Sequence, residues 1–498
     1  MIYLPEVPTM KALSRAYRTI PVWTSMDTGS RSPMETVKVL KNLSRQCFIL
    51  ESLEDSKRWG RYTFLGYDPK LEISCINGVL SIKNGTHIKV VTENPGAYIQ
   101  DVIEENRGPS LAGLPPFTGG IVGYFSYDYI KYGEPSLTLD AEDQEHFKDV
   151  DLMLFDKVLV YDRLLGQIFL IVTMKTNAPD ENYHKALTEL EQMVRILETG
   201  SPAKIPPLKI RSPFRSLFDK AQYCSMVDRA KAYIREGDIF QVVLSNRLEA
   251  EIDGSLFDTY QVLREHNPSP YMFYFSSDDG GGQGQGPFEI AGASPETLVK
   301  LQEGNLFTFP LAGTRRRGKT AEEDAALEAE LLADPKELAE HNMLVDLGRN
   351  DLGRISEFGS VSVEQYLSIE KFSQVMHLGS TVRGTIRPGK TALDAVAAVL
   401  PAGTLSGAPK IRACEIINEL ERNKRGIYGG AIGYISFSGN LDTCIAIRIA
   451  FQKNGKVFVR SGAGIVADSI PEKEYEECEY KMRAVINALE EAAGGAGI

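Results

Sequence analysis

Residues 220–250 read KAQYCSMVDRAKAYIREGDIFQVVLSNRLEA. Lys220–Glu236 carries a helical pattern, and Phe240–Ala250 reads as a long strand. Beyond it, strands are expected at Tyr271–Ser276, Ile290–Ala293, Leu306–Leu311, Ile432–Ser436, Thr443–Ala450 and Lys456–Ser461. Helices are expected at Ala321–Leu332, Pro335–Arg349, Ala392–Leu400, Lys410–Arg422 and Pro471–Glu490. Long strands mixed with helices, without regular alternation of the two, argue for an α+β fold rather than a doubly wound sheet.

Upstream, the span Gly200–Ser216 (GSPAKIPPLKIRSPFRS) holds prolines at 202, 206, 207 and 213, which remove backbone donors and mark a linker. Before it, Leu71–Ile76, Val79–Ile82 with the turn-like Asn84-Gly85, Val158–Tyr161 and Gln167–Thr173 read as strands, and Pro33–Leu43 and Asn182–Glu198 as helices. The expected division is residues 1–200, an N-terminal α+β domain; 201–216, a linker; and 217–492, a second domain. Asp278–Gly286 (DDGGGQGQG) reads as a hairpin tip.

The 498 residues have 43% hydrophobic and 24% charged content, globular values that exclude a disordered or fibrous chain. A net charge of −12 repels a phosphate backbone, so nucleic acid is not an expected partner, and an anionic substrate would need a local counter-field. The six cysteines (Cys47, Cys75, Cys224, Cys414, Cys444, Cys478) include no C-x-x-C pair, as expected of reduced thiols. No apolar run approaches the ~18 residues of a membrane span. A soluble, cytoplasmic protein with no membrane partner is expected.

Two helices carry acids at one spacing. Asp334-Pro335 opens the first, with Glu337 and Glu340 on one face; Glu474 and Glu477 repeat the spacing on the second, with Lys481 beyond. Each pair fits a solvated face, Glu337 a capping box, and Glu477–Lys481 a surface pair. Together, the acids could instead converge on one magnesium ion, which takes oxygen ligands and shares them with an anionic substrate. Glycine-rich turns at Pro310–Gly318, Gly403–Lys410 and Ser461–Gly464 let a ligand approach the backbone, while no P-loop or G-x-G-x-x-G is present. Arg448 lies inside the apolar run Cys444–Ala450, where a buried arginine needs an anion.

Read together, Gly292-Ala-Ser-Pro-Glu296, Pro310-Leu-Ala-Gly-Thr314, Ala339–Asp351, Gly403-Thr-Leu-Ser-Gly-Ala-Pro-Lys410, Arg425-Gly-Ile-Tyr-Gly-Gly430 and the run Arg460–Lys481 resemble the chorismate-utilising enzymes. The likeness is greatest to the large subunits (component I) of anthranilate synthases, strong from about 215 to 490 and looser before. It implies two domains of mostly antiparallel sheets packed as a sandwich with helices outside. It also implies conversion of chorismate and ammonia to anthranilate and pyruvate, the first step of tryptophan biosynthesis.

The resemblance assigns magnesium to Glu340 and Glu477, supported by Glu337 and Glu474. Gly462, Ala463 and Gly464 would assist with the ring carboxylate, Arg448 and Tyr428 would hold the enolpyruvyl carboxylate, and Thr404, Gly313 and Thr314 would line the pocket. Glu296 would be the general acid at ring carbon 4, and His377 a histidine needed for turnover. Water-adding relatives carry a lysine base where this chain has Gln241, so ammonia is the implied nucleophile. Aminodeoxychorismate synthase, the nearest rival, often carries a lysine nucleophile where this chain has Ala312. A catalytically silent tryptophan sensor, the other rival, would not need this set.

Leu50, Glu51 and Ser52, with Asn267, Pro270, Tyr271 and Met272, resemble a tryptophan feedback site, although Ile49 stands where leucine is usual. The bland alternative is an edge strand with a turn. No G-x-C-x-G elbow is present, so ammonia is expected from solution or from a separate glutamine amidotransferase subunit in a hetero-oligomer.

Overall fold

The computed structural model describes residues 2–29, 31–53, 60–278, 287–371 and 375–495. The glycine-rich tract at 280–286 lies outside the described residues.

Two large sheets form the molecule. The first runs, in spatial order, Thr19–Asp27, Gln167–Lys175, Lys157–Asp162, Tyr62–Tyr67, Cys47–Glu51, Tyr271–Asp278, Pro287–Ser294, Ile449–Lys453, Lys456–Ile465 and Gln241–Asp253. The second runs Leu311–Arg316, Val375–Thr385, Asn305–Thr308, Thr297–Gln302, Leu441–Ile445, Ala431–Ser436, Gly120–Phe125, Val150–Phe155, Leu71–Ile76, Val79–Asn84 and Thr86–Val91. The pairings within these ladders are antiparallel, giving the α+β sandwich expected.

Side chains alternate between the two faces of each strand, which among the described residues builds three large cores and a small one around Leu331, Met376 and Leu378. In Tyr271–Asp278, Phe273 and Phe275 point between the sheets and join Phe48, Phe155, Phe288, Phe451 and Phe458. Met272 and Tyr274 point outward, where the first sheet packs against Lys220–Glu236, Lys410–Glu421 and Pro471–Ala492. The second sheet is covered by Pro95–Glu105, Ala392–Val399 and Pro335–Gly353.

Cys47–Glu51 pairs with Tyr271–Asp278, and Ala431–Ser436 with Gly120–Phe125. The boundary expected at 201–216 therefore falls inside both sheets rather than between them. Local differences have local causes. The run Leu306–Leu311 divides into Asn305–Thr308 and Leu311–Arg316, because Pro310 has no N–H for the ladder. The run Thr443–Ala450 breaks after Ile445. There Ala446 N–H turns aside to Gly430 O (2.8 Å), and Arg448 adopts a left-handed backbone, φ 54°.

Candidate active site

Both acid-bearing helices start where the sequence places them. Pro335 occupies the first turn of Pro335–Gly353, and the Asp334 carboxylate accepts from the N–H groups of Lys336 (3.0 Å) and Glu337 (3.4 Å). Pro471 opens Pro471–Ala492, whose stripe of Cys478, Met482, Val485 and Leu489 packs onto the first sheet. That docking turns the opposite face, with Glu474 and Glu477, toward the first helix. Between the two helices, the strands Gln241–Asp253 and Lys456–Ile465 and the Gly403–Leu405 turn lies a cavity of ≈ 780 Å³.

Gln241, Glu296, Glu340, Thr404, Tyr428, Arg448, Gly462, Gly464, Glu474 and Glu477 all line it. Two glycines shape its floor. A Cβ on Gly462 would stand 2.7 Å from Leu244 O and 3.1 Å from the Tyr428 hydroxyl; one on Gly464 would stand 2.7 Å from Gln241 Nε2. The Tyr428 and Gln241 side chains thus lie directly over the backbone of this strand. Ala463, between the glycines, points into the core on the other face, and offers the cavity no side chain.

Burial pushes the Glu296 carboxyl up to about 7, against a Thr404 hydrogen bond (3.2 Å) and the Lys481 charge, both of which favour ionisation. A carboxylic acid poised near neutrality can give a proton to a leaving group. Glu340 is raised by burial and then by its neighbours Glu337 and Glu477; Glu474 is raised by burial and by Glu477, against a hydrogen bond from Ser469. Glu477 therefore repels both Glu340 and Glu474 across the cavity, which an added cation would relieve. The described residues contain no ready-made cluster of three metal ligands. Magnesium commonly takes only one or two protein carboxylates and completes its shell with water and substrate, so this donor set fits it.

Cationic groups face these acids. The Arg448 guanidinium donates to Lys481 O, and Lys481 Nζ bonds Glu477 at 2.5 Å and Gly462 O at 3.2 Å. The Glu477–Lys481 pair thus forms part of the cavity wall while its side chains stay 48% and 35% exposed. Lys336, Lys473 and Arg460 also line the cavity, and sequence reasoning assigned them no role. Arg460 follows the apolar run Val457–Val459, the same signal that pointed to Arg448. Its guanidinium bonds Glu421 (2.8 Å) and Ser245 Oγ (2.8 Å), and Glu421 also holds Arg425 at 2.5 Å, leaving one net buried positive charge under the floor.

The remaining expected residues lie beside the cavity and do not line it. His377 Nδ1 lies 2.8 Å from Gly313 O and 3.2 Å from Thr314 Oγ1, and burial lowers its pKa. Glu337 lies beside Gly313, whose added Cβ would be 3.1 Å from its carboxylate, and it faces Arg315 (3.7 Å) instead of forming a capping box. Ala312 is buried on the same strand.

A second cavity of ≈ 720 Å³ is lined by Leu50, Glu51, Ser52, Pro270, Tyr271 and Met272, along with Tyr434 and Asp442. The Ser52 hydroxyl is buried and has no hydrogen-bond partner among the described residues. Tyr271 donates to Asp442 (2.8 Å) and bonds Thr297 Oγ1 (2.9 Å), the residue after Glu296. Of the expected members, Glu51 lines the cavity with its carboxylate already engaged, and Asn267 lies outside it. The Glu51 carboxylate is engaged by Arg163, Arg264 and Tyr260, each at 2.7 Å, so it anchors the strand. Asn267 ends the Phe257–His266 helix and is not in the lining.

A sandwich whose cavity sets a near-neutral carboxylic acid against arginine, lysine and opposed glutamates defines an acid–base enzyme for a small polyanion. The chain belongs to the family of chorismate binding enzymes, whose model matches residues 46–487. It is 45% identical to anthranilate synthase component 1 of Acetivibrio thermocellus, covering 99% of both chains. It is 44% identical to anthranilate synthase component 1 of Acinetobacter calcoaceticus, covering 96% of this chain and 97% of that one. Among solved structures, anthranilate synthase component I from Streptococcus pneumoniae TIGR4 superposes with a TM-score of 0.74 at 39% identity, covering 87% of this chain and 93% of that one.

Proposed function

We propose that this chorismate-utilising enzyme is the large component of an anthranilate synthase, joining ammonia to chorismate and releasing anthranilate and pyruvate. The observation that carries the reading is Glu296, held near neutrality in the same cavity as Arg448, Tyr428 and the opposed glutamates. Chorismate is a dicarboxylate. Arg448 and the Tyr428 hydroxyl receive its enolpyruvyl carboxylate, and the glycine-lined floor lets its ring carboxylate approach the backbone. Glu296 gives its proton to the ring hydroxyl, which leaves as water instead of as hydroxide. Ammonia adds at ring carbon 2 as that bond breaks; loss of the carbon 2 proton and of pyruvate then makes the ring aromatic. Gln241, an amide, cannot activate water, and Ala312 cannot attack the ring, which favours ammonia and ortho-amination.

Magnesium, held by Glu340 and Glu477 with support from Glu474, would neutralise the ring carboxylate and draw electron density from the diene. Ammonia comes from a separate glutamine amidotransferase subunit. Tryptophan occupies the second cavity, with its amino group on the Ser52 hydroxyl, and the Tyr271–Thr297 bond links that cavity to Glu296.

The experiment is an incubation with chorismate, magnesium chloride and ammonium chloride, with product read by fluorescence and chromatography. Anthranilate, suppressed by added tryptophan, is the expected result. A para-aminobenzoate precursor, isochorismate or salicylate would refute the roles given to Ala312 and Gln241.

A further inference from the structure

Glu296, Thr404 and Leu344 border a second, much smaller chamber of ≈ 50 Å³ as well as the main cavity. One water needs roughly 10–15 Å³ and two to four polar partners. The chamber has the room, and Glu296, Thr404, Thr308 and Asp351 give it polar walls. Thr404, itself in the chamber wall, donates to Oε1 of Glu296 over 3.2 Å. Asp351 is buried and fixed by Lys410 Nζ at 2.9 and 3.0 Å, and Lys410 also donates to Val399 O. No direct hydrogen bond joins Asp351 to Glu296 among the described residues, so a link between them needs water.

We propose that this chamber holds ordered water connecting Glu296 to the Asp351–Lys410 pair, and that Asp351 is the positioning residue through which Glu296 regains its proton. The inference rests on the reading of Glu296 as general acid. When Glu296 protonates the leaving hydroxyl, the carbon–oxygen bond breaks, its electron pair departs with water, and a carboxylate remains. Chamber water then gives a proton to Glu296 and takes one from the Asp351–Lys410 pair, which solvent refills. The ammonium ion releases one proton to solvent on becoming the attacking ammonia, and the amine formed on the ring releases a second; one returns to Glu296, and one is released per turnover. Burial raises the Asp351 carboxyl, against Lys410 and Arg354, and Lys481 is the charge facing Glu296.

The test uses the full-length protein with magnesium and saturating ammonium, and follows loss of chorismate whatever the product. In Gly348→Ala, the new methyl stands 3.0 Å from Thr308 Cγ2 and 3.6 Å from Pro310 Cγ, narrowing the chamber without touching a charge. Gly348→Ala and Asp351→Asn are expected to lower kcat about tenfold. Chorismate KM should change less than about twofold, the solvent deuterium isotope effect should rise, and Asp351→Glu should recover most of the rate. Unchanged kcat in Gly348→Ala, an unchanged isotope effect, or kcat and KM failing together with lost thermal stability would overturn the inference. Product chromatography separates the two readings: a product other than anthranilate with the same Asp351 dependence overturns only the anthranilate assignment.

Discussion

The Thr404 hydroxyl donates to Oε1 of Glu296 over 3.2 Å, a side-chain hydrogen bond that favours the ionised form of that carboxyl. Glu296 is protonated below about 7, so kcat should fall as pH rises through that value. Thr404→Val removes the bond and should move the alkaline limb of the kcat profile to higher pH, while Glu296→Gln should lose about 10²–10⁴-fold at every pH. A limb that stays in place in Thr404→Val would show that another group titrates. The sign for stability follows from the same shift. Between 4.5 and about 7 the folded protein holds a proton that the unfolded chain has released, so this group's contribution falls as pH rises through that window.

The Ser52 hydroxyl, buried and without a partner among the described residues, faces a cavity large enough for an indole side chain. Ser52→Phe should fill that space and abolish inhibition by tryptophan while leaving kcat near the parent value. Inhibition curves with and without the substitution decide it, and an unchanged midpoint would remove tryptophan from this cavity.

Burial raises the Glu340 carboxyl, and the charges of Glu337 and Glu477 raise it further. Glu340→Ala should lower magnesium-dependent kcat/KM by about 10²-fold or more, the scale of several kcal/mol of charge stabilisation. Calorimetric titration with magnesium should lose its heat in parallel. Near-normal turnover at millimolar magnesium would place the ion elsewhere.

Gly462 and Gly464 differ in what a methyl group would meet. At Gly462 the obstacle is the Leu244 carbonyl at 2.7 Å, which is backbone and cannot step aside; at Gly464 it is the end of the Gln241 side chain. Gly462→Ala should cost about 1–3 kcal/mol in urea unfolding. Gly464→Ala should keep its unfolding midpoint and instead raise chorismate KM by displacing the Gln241 amide.

Glu421 lies between Arg425 and Arg460 in the core, with side chains about 1% exposed. Glu421→Gln would leave two buried guanidinium groups facing a neutral amide, a loss of about 3–5 kcal/mol. A chemical-denaturation midpoint matching the parent protein would show that water reaches the pair.

Where the information is local, it was legible in the chain. The helices Pro33–Leu43 and Lys220–Glu236 occur with the expected bounds, because caps, helical periodicity and the following breakers act within a few residues. The acid pairs at 337/340 and 474/477 and the glycine-rich turns are likewise properties of neighbouring residues. What the chain alone could not decide is which faces meet. Glu340, Glu474 and Glu477 line the cavity while Glu337 turns to Arg315, a difference set by how two helices dock on different sheets. Tertiary pairing also placed His377 in a strand, Val375–Thr385, where it bonds the Gly313–Thr314 turn beside the cavity. The proline-rich span 201–216 holds two short strands, Lys209–Ile210 and Arg215–Ser216, paired with Gln241–Asp253, and both sheets close across it, because strand pairing joins residues hundreds of positions apart, such as Met272 with Glu51. Sequence fixes which groups are available and the local shape that carries them; only the packed sandwich provides the burial that keeps Glu296 protonated toward neutrality and gives Arg448 its neighbours.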